Sequence, residues 1–109
     1  MNYELVFYVS NRGENLVQDF IESQNQSTRS KYARLIALLI QHGPTLHFPY
    51  SRKLTKNLYE LRSQGDTKIR IIYTQINQKF TILHAFKKKS QKTPPKEIKT
   101  AEQRRLTLI

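Results

Sequence analysis

The strongest constraint on the fold is a set of three short segments, residues 58–63, 68–74 and 80–86, separated by only a few residues each. Each is rich in β-branched, aromatic or leucine side chains and reads as a strand. Gln64-Gly65-Asp66 and Asn77-Gln78 supply turn chemistry between them, and links this short favour antiparallel hairpins. Alternation then assigns faces. Tyr59 and Leu61 share one side of the first strand, leaving Glu60 and Arg62 on the other. In the second strand Ile69, Ile71 and Tyr73 form the natural core face, with Lys68 and Arg70 opposite. By parity His84 falls with Phe80, Ile82 and Phe86 in the third.

The rest of the chain supplies the partners for this sheet. Residues 3–9 read as a further strand, and Asn11-Arg12-Gly13 turns the chain. Leu16, Val17, Phe20 and Ile21 then recur at helical spacing. Ser27-Thr28 offers a cap for a longer helix whose apolar stripe is Tyr32, Leu35, Ile36, Leu39 and Ile40. His42-Gly43-Pro44 ends that helix, and residues 44–56 read as a loop. Thr93-Pro94-Pro95 starts a last helix of about three turns, weakly amphipathic through Ile98, Ala101 and Leu106. The predicted order is β-α-α-β-β-β-α. This is an α+β fold, a small antiparallel sheet with a helix pair on one face. At 109 residues the chain is predicted to form one domain, 1–109.

Charge is divided unevenly. Residues 1–50 balance four basic against four acidic side chains, so the whole net charge of +11 resides in residues 51–109. An excess on one part of a small protein gathers polyanions, most often nucleic acid. Arg62 and Arg70 are expected side by side on the sheet face away from the helix pair, with Lys87-Lys88-Lys89 emerging from the end of the last strand.

Other chemistries have little support. Cysteine is absent, which removes thiol nucleophiles, disulfides and cysteine zinc sites. No glycine-rich phosphate loop offers a cradle for a nucleotide, and His42, His47 and His84 have no metal-ligand spacing, so neither cofactor nor metal is expected. No stretch of about 20 apolar residues is present and no signal-peptide layout precedes the first strand, which predicts a soluble, cytoplasmic protein.

The blocks Leu58-Tyr59-Glu60-Leu61-Arg62, Ile69-Arg70-Ile71-Ile72-Tyr73 and the run from Leu83 through Phe86-Lys87-Lys88-Lys89-Ser90-Gln91-Lys92-Thr93-Pro94 resemble a known family. The sequence is similar to the RelE/HigB superfamily of type II toxin–antitoxin toxins, in its phage-derived HigB-like branch. With Glu97-Ile98, Ala101-Glu102 and Arg104 beyond them, these blocks cover about half of the chain, and the predicted element order covers all of it. The resemblance implies an endonuclease that cuts mRNA in the ribosomal A site without a metal. It also implies neutralisation by a cognate antitoxin with a helix-turn-helix DNA-binding fold. Motif alignment puts Arg70 where such toxins carry a phosphate-contacting arginine and Lys88 near their second basic catalytic position. Arg62 matches by motif alone. RelE itself has a tyrosine near its C-terminus as a base candidate, whereas no tyrosine follows Tyr73 here.

Cleavage of RNA by its own 2′-hydroxyl needs a base, an acid and positive charge for the phosphorane. The expected assignment gives Arg62 and Arg70 to the phosphate, Lys88 to transition-state stabilisation or general acid work, and His84 or Glu60 to the base. Lys53, Lys56, Lys87, Lys89 and Lys92 would hold the RNA backbone. Two rivals stay open: a ParE-like toxin of the same fold that inhibits gyrase, cleaves nothing and would not need the lysine cluster, and a non-catalytic RNA-binding module.

Overall fold

The computed structural model describes residues 3–47, 49–63, 69–88 and 92–109. The chain runs as β1 (Leu5–Phe7), α1 (Leu16–Glu22), α2 (Gln26–His42), a 3₁₀ turn (Gly43–Thr45), β2 (Ser51–Lys53), β3 (Tyr59–Arg62), β4 (Ile69–Ile76), β5 (Lys79–Lys87) and α3 (Pro95–Leu106). This is the expected α+β class, with three helices on a five-stranded sheet of order β1-β5-β4-β3-β2.

Two features of the sheet differ from the expectation. It is mixed, because β1 runs parallel to β5 with Leu5 opposite Phe80 and Phe7 opposite Ile82. The two helices carry the chain back across one face, so β1 and β5 lie side by side without a hairpin between them. In addition, the segment expected as loop 44–56 contains β2. Its anchor is Ser51, buried, whose hydroxyl lies 2.6 Å from the Tyr73 hydroxyl. A strand of three residues is too short for alternation to announce it.

The helix pair forms as its apolar spacing requires. Asn15 and Asn25 cap α1 and α2 by accepting the backbone N–H of Gln18 and Thr28, so the second cap precedes the expected Ser27-Thr28. Val17 and Ile21 of α1 and Tyr32, Leu35 and Leu39 of α2 bury against Leu61, Ile69, Ile71, Tyr73, Phe80 and Ile82. The other face has its own core. There α3 packs Ala101 and Ile98 on Leu58, Ile72, Leu83 and Phe86. The last helix is therefore docked, and the face expected to be open is covered along part of its width.

A bulge in β5 explains the one parity error. Ile72 pairs with His84 but Tyr73 pairs with Ile82, which leaves Leu83 as an extra residue. Before the bulge Phe80 and Ile82 face the helix pair; after it His84 and Phe86 face α3. The β4–β5 turn is the two-residue kind, with Asn77 at φ 51° and Gln78 at φ 69°. Both values suit the right-handed twist of the strands it joins.

Candidate functional site

The face beneath α3 gathers three arginines around one carboxylate. Register accounts for it: Arg52 stands opposite Glu60, Arg62 follows Glu60 on the same side of β3, and Arg62 stands opposite Arg70. Like charges directly across strands repel, and Glu60 offsets that repulsion. Its Oε1 lies 3.7 Å from Arg70 Nε and 3.9 Å from both Arg62 Nε and Arg52 Nη2. Its Oε2 accepts the Thr93 hydroxyl at 2.6 Å, and the same hydroxyl oxygen accepts Arg52 Nη2 at 3.4 Å.

Burial is graded outwards. The Glu60 side chain is 1% exposed and that of Arg70 5%, against 14% for Arg62 and 38% for Arg52. Burial lowers the Arg70 pKa; Glu60 opposes that shift, while Arg62 and Arg52 add to it. A guanidinium nevertheless stays protonated in a protein. The ion pairs are longer than the 2.7–2.9 Å of a charge-assisted hydrogen bond, and Glu60 Oε1 accepts no hydrogen bond. The carboxylate thus balances one of three charges without clamping any guanidinium bidentately. Among the described residues the three guanidiniums share one carboxylate at this edge of the sheet face.

Lys88 follows the end of β5, two residues beyond Phe86, which is the cross-strand partner of Arg70. It is half-buried and stands at the same end of the sheet as Arg62 and Arg70. Lys56 and Lys92 are exposed on the side of α3. Lys53 and Lys87 go elsewhere. Lys53 pairs with Tyr59 and lies 5.9 Å from its ring centroid, and Lys87 pairs with Ile69 of the helix-pair core, so both share the opposite face. Lys89 lies outside the described residues.

His84 is held by α3. Its Nε2 is 2.9 Å from Glu97 Oε1, and Arg104 Nη1 approaches Nδ1 at 3.3 Å while donating to the Leu83 carbonyl at 2.8 Å. Because a guanidinium only donates, Nδ1 accepts and Nε2 carries the proton toward Glu97. Burial lowers the His84 pKa; the Glu97 hydrogen bond opposes that and the Arg104 charge adds to it. Phe86 stacks on the imidazole at 5.6 Å. Both ring nitrogens are therefore engaged, and Glu60 is too buried to meet a substrate hydroxyl. Glu60 is sealed from solvent and both His84 ring nitrogens already have partners, so neither expected base offers an accessible free acceptor in this arrangement. Among the described residues, no three His, Asp or Glu side chains converge as a metal site would require.

Sequence reasoning missed Arg52 and Thr93 as members of this cluster, because β2 read as loop and Thr93 as a helix start. The triplet Ser51-Arg52-Lys53, with one small polar and two basic residues, carries no usable alternation.

Comparison with known families decides the lineage. Residues 19–106 match the model of the phage-derived protein Gp49-like family (DUF891). The chain belongs to the Gp49-like family. The match spans α2, every strand except β1, and α3. It is a RelE-like, toxin–antitoxin-associated family of phage origin, and membership implies an antitoxin partner. No curated protein matches the chain. Among the described residues of this Gp49-like protein, no helix is long and apolar enough to cross a membrane.

Proposed function

We propose that this Gp49-like protein is the toxin of a type II toxin–antitoxin pair and an endoribonuclease acting on mRNA at the ribosome. The observation that carries the reading is the convergence of Arg52, Arg62 and Arg70 on the single buried carboxylate of Glu60. An enzyme that cleaves RNA through its 2′-hydroxyl makes a bond from that oxygen to phosphorus, its proton passing to water, and breaks the bond from phosphorus to the 5′-oxygen, which takes a proton up. The negative charge that accumulates on the phosphorane needs fixed cations already in position.

In this reading Arg62 and Arg52 meet the phosphate, and Arg70 sets the potential beneath them. Lys88 stands at the end of the sheet to donate to the leaving 5′-oxygen. A well-placed donor of this kind contributes about 2.7–4 kcal/mol to the transition state. Glu60 is a positioning residue, spacing the guanidiniums it partly neutralises. His84 fastens α3 to the sheet and takes no part in proton transfer. Lys56 and Lys92 lengthen the basic track for the RNA backbone, with salt-dependent affinity.

The test is induced expression in a bacterium with primer extension on an abundant mRNA, comparing wild type with Arg62→Ala and Lys88→Ala. Cuts confined to translated message that vanish in both variants support the reading. Growth arrest with intact mRNA overturns it in favour of a gyrase-directed toxin. Neither effect, with RNA binding retained, leaves a binding module.

A further inference from the structure

A groove of about 570 Å³ runs between the turn that joins β2 to β3 and one face of α3. Its volume is in the range of sites that take a ligand or a set of side chains. Leu58 and Ile98 form an aliphatic floor, and Lys56, Lys92 and Lys99 line the groove together with Glu102, whose carboxylate Arg105 holds at 2.7 Å. Thr93 lines the same groove while its hydroxyl joins Glu60 to Arg52. An occupant of the groove therefore reaches the edge of the arginine cluster.

We propose that this groove is the docking site for an acidic, amphipathic segment of the antitoxin, a step that rests on the toxin reading above. The lining chooses among partners. A nucleobase needs a flat π-surface, and none of the described lining residues is aromatic. A second copy of the chain carries the same net charge of +11, so its approach to a lysine rim is repulsive. A planar lipid surface does not enter a concave groove. A helical peptide with leucines on one side and carboxylates on the other matches floor and rim together. Seated there, its carboxylates lie beside Arg52, so that docking and exclusion of RNA phosphate become one event.

The probe is a fluorescein-labelled synthetic peptide of about four helical turns, with leucine at i, i+4 and i+7 and glutamate at most other positions. Its binding to the whole chain is followed by anisotropy and by backbone amide shifts. Saturable binding that moves the Leu58, Ile98 and Lys99 amides is expected. Weakening by about tenfold or more is expected in Lys56→Glu/Lys99→Glu, whose thermal melt is unchanged because both lysines are exposed. A peptide with the same composition but scrambled leucines should bind far more weakly. No measurable binding, binding indifferent to the charge reversal, or shifts confined to the helix-pair face would overturn the proposal, as would peptide binding left undiminished by saturating single-stranded RNA. Intact mRNA on expression of the wild type, with groove binding present, refutes the nuclease reading alone. Retained cleavage without groove binding refutes only the docking site.

Discussion

Removing the charge of Glu60 is the sharpest perturbation of the arginine cluster. In Glu60→Gln the side chain keeps its size and can still accept the Thr93 hydroxyl, so the change is electrostatic. At the observed 3.7 and 3.9 Å each carboxylate–guanidinium contact has a gross attraction of about 4 kcal/mol at an effective dielectric of about 20. Arg70, at 5% exposure, cannot recover that by turning to water, whereas Arg52, at 38%, largely can. Breaking a buried pair by removing one partner typically costs about 3–5 kcal/mol. Loss of Arg52, the most exposed of the three partners, costs about 0–1 kcal/mol. Urea denaturation of Glu60→Gln, Arg52→Gln, Arg70→Gln and the Glu60→Gln/Arg70→Gln double variant checks the ranking. The double variant should be less destabilised than the two single changes summed, because each single change strands a charge that the other removes. If Glu60→Gln loses less than about 1 kcal/mol, or if the double variant is simply additive, the carboxylate is not what holds three guanidiniums together.

Other perturbations separate catalysis, α3 docking and local strain. Arg62→Ala should lower mRNA cleavage by about 10²–10³ while leaving the urea midpoint nearly unchanged, measured by primer extension beside denaturation; a proportionate loss of both would make Arg62 structural. His84 has a folded pKa below its unfolded value of about 6.5, so the unfolded chain binds the proton more readily. Stability is thus complete above about pH 6.5 and falls as pH drops toward the folded pKa. His84→Gln, which titrates nowhere in that window, should flatten this component of the urea midpoint between pH 5 and pH 7.5; an unchanged slope would assign it elsewhere. Gln78→Gly should stabilise by about 0.5–1 kcal/mol, since Gln78 holds a positive φ that glycine adopts without penalty, and calorimetry reads it directly.

Elements whose information is local were legible in the amino-acid order alone. Alternation in 58–63 and 68–74 put Glu60, Arg62 and Arg70 on the face away from the helix pair, and the stripe from Tyr32 to Leu39 assigned α2 to the core. Family likeness was legible for the same reason, since its motifs lie on those strands and in the lysine run after β5. Tertiary structure decided what depends on residues far apart in the chain. The extra residue at Leu83 turns His84 and Phe86 toward α3, and no local pattern marks a bulge whose cause is the fit of β5 between two cores. Arg52 joins the site only because Ser51 reaches Tyr73 and brings a three-residue strand to the sheet edge. Thr93 meets Glu60 only because Ala101 and Ile98 seat α3 on the second face. Periodicity reports which side of an element a residue occupies; which other elements that side meets is set by closure of the core.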